Sequence, residues 1–122
     1  MESTHALIQE TQQGFESLAE LVQETADNLS VGNGVMRDMI PVIEKLDQMF
    51  QLVGQLKGHL TEDEVISDFV ALSTDTNRVL VYIMEAIGSE DLVLLSDLLQ
   101  YELKGRIDRW LHITKEIGTQ IN

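Results

Sequence analysis

Residues 61–88 read TEDEVISDFVALSTDTNRVLVYIMEAIG, and the class of the fold turns on this stretch. Its later part, Val79–Met84, is an unbroken apolar run rich in β-branched and aromatic side chains, which taken alone favours a strand. Its surroundings decide otherwise. Ile66, Phe69, Ser73, Thr76, Leu80, Ile83 and Ile87 recur at steps of three and four, flanked by Val65, Leu72, Val79 and Ala86. A strand alternates every second residue and cannot hold that spacing, so the stretch predicts a helix with Leu80 and Ile83 in the core. The start carries the pattern of a capping box: the Thr61 hydroxyl is placed to accept the Glu64 amide while Glu64 reaches back. Leu60 and Val65 occupy the staple positions around it, and Glu62, Asp63 and Glu64 face the positive end of the helix dipole.

Working outward, Gly88 closes this helix and Ser89 is the expected cap of the next, with Glu90 and Asp91 in its first turn. Leu92, Leu95, Leu99, Leu103, Ile107, Trp110, Thr114, Ile117 and Ile121 trace one face of that last helix. Gly105 interrupts it, either for a close helix contact or for a bend. Upstream, Met36, Met39, Ile43, Leu46, Phe50 and Val53 form one stripe, with Val42, Met49 and Leu56 beside it and Gly58 as the closing residue. Pro41 lies inside this pattern, so helix two either starts there or follows a short helical piece and a kink; we favour the latter. The first helix runs from about Thr4 to Asn28 on the stripe Ile8, Thr11, Phe15, Leu18, Val22, Thr25, Leu29, whose two threonines suggest a weak seam. It ends at the turn signal Ser30-Val31-Gly32-Asn33-Gly34. Four long helices joined by short turns give an all-α fold, an antiparallel up-down four-helix bundle, as one domain over residues 1–122.

Composition narrows the function. Apolar residues make up 43% of the 122, enough for a core, and cysteine is absent, which removes disulfides, thiolate metal sites and cysteine nucleophiles. A formal charge of −13 disfavours nucleic acid and anionic membranes as partners. No apolar run approaches the roughly 18 residues of a membrane span, and the opening Met-Glu-Ser-Thr-His lacks the form of a signal peptide, so a cytoplasmic location is expected. The charge is uneven. Residues 1–36 carry Glu2, Glu10, Glu16, Glu20, Glu24 and Asp27 with no Lys or Arg, whereas residues 104–115 carry Lys104, Arg106, Arg109 and Lys115 against Asp108 alone.

Motifs that would carry chemistry are weak. A di-iron bundle needs two Glu-x-x-His pairs, and only Glu2 and His5 have that spacing. His59 falls in a turn, where a phosphorelay histidine would lose its helical face, and His112 stands alone on the last helix. Asp75-x-Asn77 lacks the glycine and third ligand of a calcium loop. Gly32-Asn33-Gly34 has neither the preceding strand nor the following Lys of a phosphate loop and reads as a turn. No cofactor is expected and no nucleophile–base set is discernible, so the chain reads as a non-enzyme.

The segment Asp91–Leu103, DLVLLSDLLQYEL, is similar to a segment of small, acidic, uncharacterised helical proteins of Gram-positive spore-forming bacteria. In size, acidity and helix count the chain also resembles flagellar export chaperones, bundles that hold a disordered export substrate. Neither resemblance implies a catalytic residue.

The expectation is therefore a non-catalytic interaction module, a chaperone or adaptor that binds an amphipathic helix or export segment of a partner protein. The candidate binding residues are Met36, Met39 and Met49, flexible thioethers suited to an adaptable groove, and the Glu16, Glu20, Glu24 row, suited to a basic partner. Val70, Val81, Tyr82 and Met84 lie outside the seam of helix three and suggest a homodimer. The alternative is a small enzyme or ligand-binding bundle with a site built from scattered carboxylates.

Overall fold

A computed structural model describes residues 2–31 and 36–121, with the side chains of residues 4–31 and 36–119. The Gly32-Asn33-Gly34 turn and the side chains of Glu2 and Ile121 lie outside them. Helix α1 spans Glu2–Ser30, α2 Met39–Lys57 and α3 Asp63–Gly88. The fourth helix, α4, covers 92–121 in three consecutive segments: Leu92–Asp97, a π-helical stretch Leu98–Leu103, and Lys104–Ile121. This is the all-α four-helix bundle that the periodicity predicts.

Every position of the α1 stripe, Ile8 through Leu29, is buried. Both of its threonines, Thr11 and Thr25, are buried. Thr11 donates its hydroxyl to the Leu7 carbonyl one turn back at 2.7 Å, so a polar atom enters the core already satisfied. At the far end of the chain Thr114 does the same, donating to the Trp110 carbonyl at 2.9 Å. Trp110 is the largest buried side chain. Its ring stacks on Phe15 at 5.6 Å, meets Phe69 edge-on at 5.3 Å, and so ties α1, α3 and α4 together.

The helix ends differ in detail from the sequence reading. A 3₁₀ turn, Met36–Asp38, precedes α2, and Pro41 is the third residue of the α-helix, where its missing N–H has no intrahelical partner to lose. The Thr61–Glu64 capping box does not form. Glu62, with extended φ/ψ of −83° and 124°, takes the N-cap position, so Thr61 is one residue too early to reach the third helical amide. Ser89 does not cap α4 either. It closes α3, its hydroxyl donating to the Glu85 and Ala86 carbonyls at 3.1 and 3.3 Å. Glu90 follows with φ of 56°, and Asp91 caps α4 by accepting the Leu94 amide at 3.0 Å. Gly58 sits at φ −62°, so α2 closes without a left-handed residue.

The π segment answers a mismatch in the α4 stripe. Leu95, Leu99, Leu103 and Ile107, all buried, follow at three successive steps of four. Each such step overshoots one α-helical turn by roughly 40°, so three would carry the stripe about 120° away from the core. The wider turn at Leu98–Leu103 takes up the excess residue and keeps all four inward. Gly105 lies two residues past this segment, and a Cβ placed there would meet nothing within 4 Å, so it marks no close helix contact.

The helices do not pack evenly. α1 lies closely against α2 and α4, and α3 lies closely against α4, whereas α2 and α3 share no comparable packing. The burial pattern of α3 follows. Its buried residues are Phe69, Leu72, Thr76, Val79, Ile83 and Ala86, the side turned to α4. Leu80, expected in the core, is only half-buried, together with Ile66, Ser73 and Ile87. They form the line that faces α2.

Candidate docking surfaces

The residues expected to bind a partner are not brought together. Met39 and Met49 are 1% and 2% exposed, and Met36 is half-buried and packed on the core. Two of the three methionines expected at the surface of helix two are thus interior, with Met49 turned onto α1. A Cβ on Gly14 of α1 would overlap the Met49 sulfur, so the thioether fills the gap that glycine leaves. Glu16, Glu20 and Glu24 are exposed on the outer face of α1 and meet none of the methionines.

The loosest packing between neighbouring helices is at the seam between α2 and α3. Ile43 and Phe50, seven residues apart, are half-buried on the α2 wall, and Ile40 is exposed at its edge. Ile66, Ser73 and Leu80 make the α3 wall, with Val70, Val81 and Met84 exposed beyond them. Beneath the seam is an apolar void of about 10 Å³ bounded by Phe50, Thr76, Leu103 and Trp110 among others. It is the size of a single water at most and has no polar lining to hold one. The seam is therefore a surface feature, and among the described residues the void below it is too small for a small molecule.

On the other side of α3, facing α4, charge dominates. Asp75 receives Arg106 Nε at 3.0 Å and Arg109 Nη1 at 3.2 Å, with Arg78 Nη1 at 3.9 Å. Arg106 also reaches Glu102 Oε2 at 2.8 Å. The hydrogen bond from Arg106, helped by the charges of all three arginines and opposed by partial burial, holds the Asp75 carboxyl below the ordinary carboxylate range. Burial works against the charge of Arg106, but its bonds to Asp75 and Glu102 outweigh this and its pKa is raised. The signal for this cluster in the sequence is the basic stretch 104–115; its acidic counterpart, Asp75, lies about 30 residues upstream on another helix, where no sequence pattern links the two.

Two open clefts flank the cluster. One, about 380 Å³, is lined by Tyr82, Glu85, Ala86, Ser89, Leu94 and Leu98. The other, about 410 Å³, includes Asp68, Asp108, Arg109, His112 and Glu116, with His112 Nε2 3.0 Å from Glu116 Oε1. Among the described residues no three His, Asp or Glu side chains are arranged to hold a metal ion. His59 pairs through Nδ1 with the Thr4 hydroxyl at 2.8 Å. No helix among the described residues is long and apolar enough to cross a membrane.

A family model described as "Domain of unknown function (DUF8042)" matches residues 1–113. The chain belongs to the DUF8042 family. The DUF8042 match takes in α1, α2 and α3 whole and α4 as far as Ile113, so it covers both walls of the α2–α3 seam and the Asp75 cluster. No curated protein and no solved structure matches the chain.

Proposed function

We propose that this protein is a non-catalytic interaction module, a chaperone or adaptor that takes an amphipathic helix of a partner protein into the seam between α2 and α3. The observation that carries this reading is the uneven packing: two helices consecutive in the chain are not closely packed, and apolar side chains line both sides of the opening. A bundle closed on all four sides would bury Ile43, Phe50, Ile66 and Leu80 fully. Here they stay only partly buried, and a fifth helix lying along the seam would complete their burial at about 25 cal/mol for each Å² of apolar surface removed from water. Recognition would be of the helix-in-groove kind, with partner anchors at i, i+3, i+4 and i+7. The exposed acids Glu44 and Asp47 on α2, with the Glu16, Glu20, Glu24 row on α1, favour approach of a basic partner and oppose nucleic acid.

The test uses synthetic amphipathic peptides of about four turns, with leucine anchors at helical spacing and a lysine-rich polar face, titrated into the full chain. A peptide of the same composition with the anchors scrambled is the control. Ile40→Asp and Met84→Asp, both at exposed positions, should abolish binding of the ordered peptide and leave the circular dichroism spectrum unchanged. Equal binding of the two peptides, or binding indifferent to both substitutions, would remove the seam as a docking site.

A further inference from the structure

We infer that the outer face of α3 is a two-fold interface on which a second copy of this chain packs antiparallel, with Arg78 of each copy paired to Glu85 of the other. This goes beyond helix capture and uses the outer face of α3, which borders the seam only at Val81. Ala71, Thr74, Arg78, Tyr82, Glu85 and Ser89 follow at steps of three and four, and all are exposed. They form one continuous outer stripe, with Val81 beside its centre. Val81 and Tyr82 remain 48% and 49% exposed, an apolar centre on a helix whose other long side is already buried.

The arrangement of the stripe is self-complementary, which is what a two-fold contact requires: a residue at one position meets its symmetry counterpart from the other copy. An axis passing between positions 81 and 82 brings 78 opposite 85, 81 opposite 82, and 74 opposite 89. Arg78 then faces Glu85, the apolar pair faces its own copy, and Thr74 faces Ser89. These last two are small, which lets the helices approach, and their hydroxyls are already occupied. Thr74 donates to the Val70 carbonyl at 2.9 Å and Ser89 to the Glu85 carbonyl at 3.1 Å, so their burial leaves no hydroxyl donor unpaired.

The charges point to the same occupant. Arg78 and Glu85 lie seven residues apart, about 10 Å along the helix, too far to pair within one chain. Among the described residues Glu85 has no ion pair, and the Arg78 side chain, 64% exposed, makes only the 3.9 Å contact with Asp75. A second copy supplies Glu85 with a counter-charge and Arg78 with a second one beside Asp75. Two chains of −13 repel at long range, but at about 0.15 M salt that repulsion is screened beyond roughly 8 Å while the pairs in direct contact remain.

The experiment is sedimentation of the full chain at about 0.15 M salt, with circular dichroism confirming that each variant is folded. The wild type should sediment as a dimer. Arg78→Glu and Glu85→Arg should each place like charges in contact and weaken association about tenfold or more. Combining Arg78→Glu with Glu85→Arg restores opposite charges in exchanged positions and should return the dimer. A monomeric wild type would overturn the inference, as would single variants that associate as tightly as the wild type or a double variant that stays monomeric. The helix-capture reading is tested separately, since Arg78→Glu monomers should still bind the leucine-anchored peptide.

Discussion

The indole Nε1–H of Trp110 donates to the Thr76 hydroxyl at 3.0 Å, and that hydroxyl donates in turn to the Leu72 carbonyl at 2.7 Å. Both residues are buried, so this short chain is the only place where the indole N–H finds a partner away from water. Thr76→Val keeps the shape and removes the acceptor. It should cost about 1–3 kcal/mol, the penalty of a buried donor left unmade. Thr76→Ser retains the hydroxyl and should keep the tryptophan bond. Urea denaturation of the two variants separates them, and equal costs would show that the hydrogen bond contributes nothing beyond packing.

The loops before α3 and α4 give a second comparison. Asp91 accepts the Leu94 amide at 3.0 Å and is the functioning cap, whereas Thr61 is exposed and stands outside α3. Asp91→Ala should lower stability by about 0.5–2 kcal/mol, and Thr61→Ala should change it little. Thermal melts of both variants check the order. A larger loss at Thr61 would mean that the capping box forms in solution after all.

Asp75 makes stability depend on acid. Its folded-state pKa is lowered, chiefly by the hydrogen bond from Arg106, so its contribution is present above the ordinary carboxylate pKa of the unfolded chain. That contribution is lost as pH falls through the lowered folded-state value. At pH 7 Asp75→Asn should be less stable than the wild type, because Arg78, Arg106 and Arg109 then face one another without their shared carboxylate. The gap should narrow steadily on acidification below about pH 4. Denaturation midpoints of the two proteins from pH 7 to pH 3 would test this, and a gap independent of pH would place the effect in packing instead of charge.

Much of the fold was legible because long periodic stripes constrain a helix at many positions at once. The α1 stripe is buried from Ile8 to Leu29, and on α4 the described residues from Leu95 to Ile117 are buried as expected. The π segment is not part of the sequence reading, which places the irregularity of the last helix at Gly105; its signal is the three successive steps of four from Leu95 to Ile107, and the steps alone do not say where the excess residue is absorbed. Caps were not legible at single-residue resolution, since Thr61, Ser89 and Asp91 all have suitable side chains and a shift of one residue changes which of them is in reach. The docking surfaces were least legible. Leu80 and Ile83 share one apolar pattern, and only the lean of α3 towards α4 leaves the first half in water while burying the second. Methionine is equally suited to a groove and to an irregular core, so composition could not place Met39 or Met49.

Met39 and its neighbour Ile40 distinguish the core from the docking edge most sharply. Adjacent in sequence, they are 1% and 52% exposed, so one substitution has opposite consequences at the two positions. Met39→Asp places a charge among apolar side chains with no counter-ion. The cost is several kcal/mol, comparable with the whole stability of a small domain, so cooperative unfolding should be lost or sharply weakened. Met49→Asp should behave alike, because the Met49 thioether fills the space above Gly14. Met39→Leu conserves volume and should cost less than about 1.5 kcal/mol. Ile40→Asp, by contrast, falls at the second position of α2, where a carboxylate faces the positive end of the helix dipole. It should leave stability unchanged or slightly raised while removing an apolar contact from the edge of the α2–α3 seam. Circular dichroism melts and peptide titration on the same variants read both effects. A folded Met39→Asp that has lost peptide binding would return the methionines to the docking surface and displace the seam residues from that role.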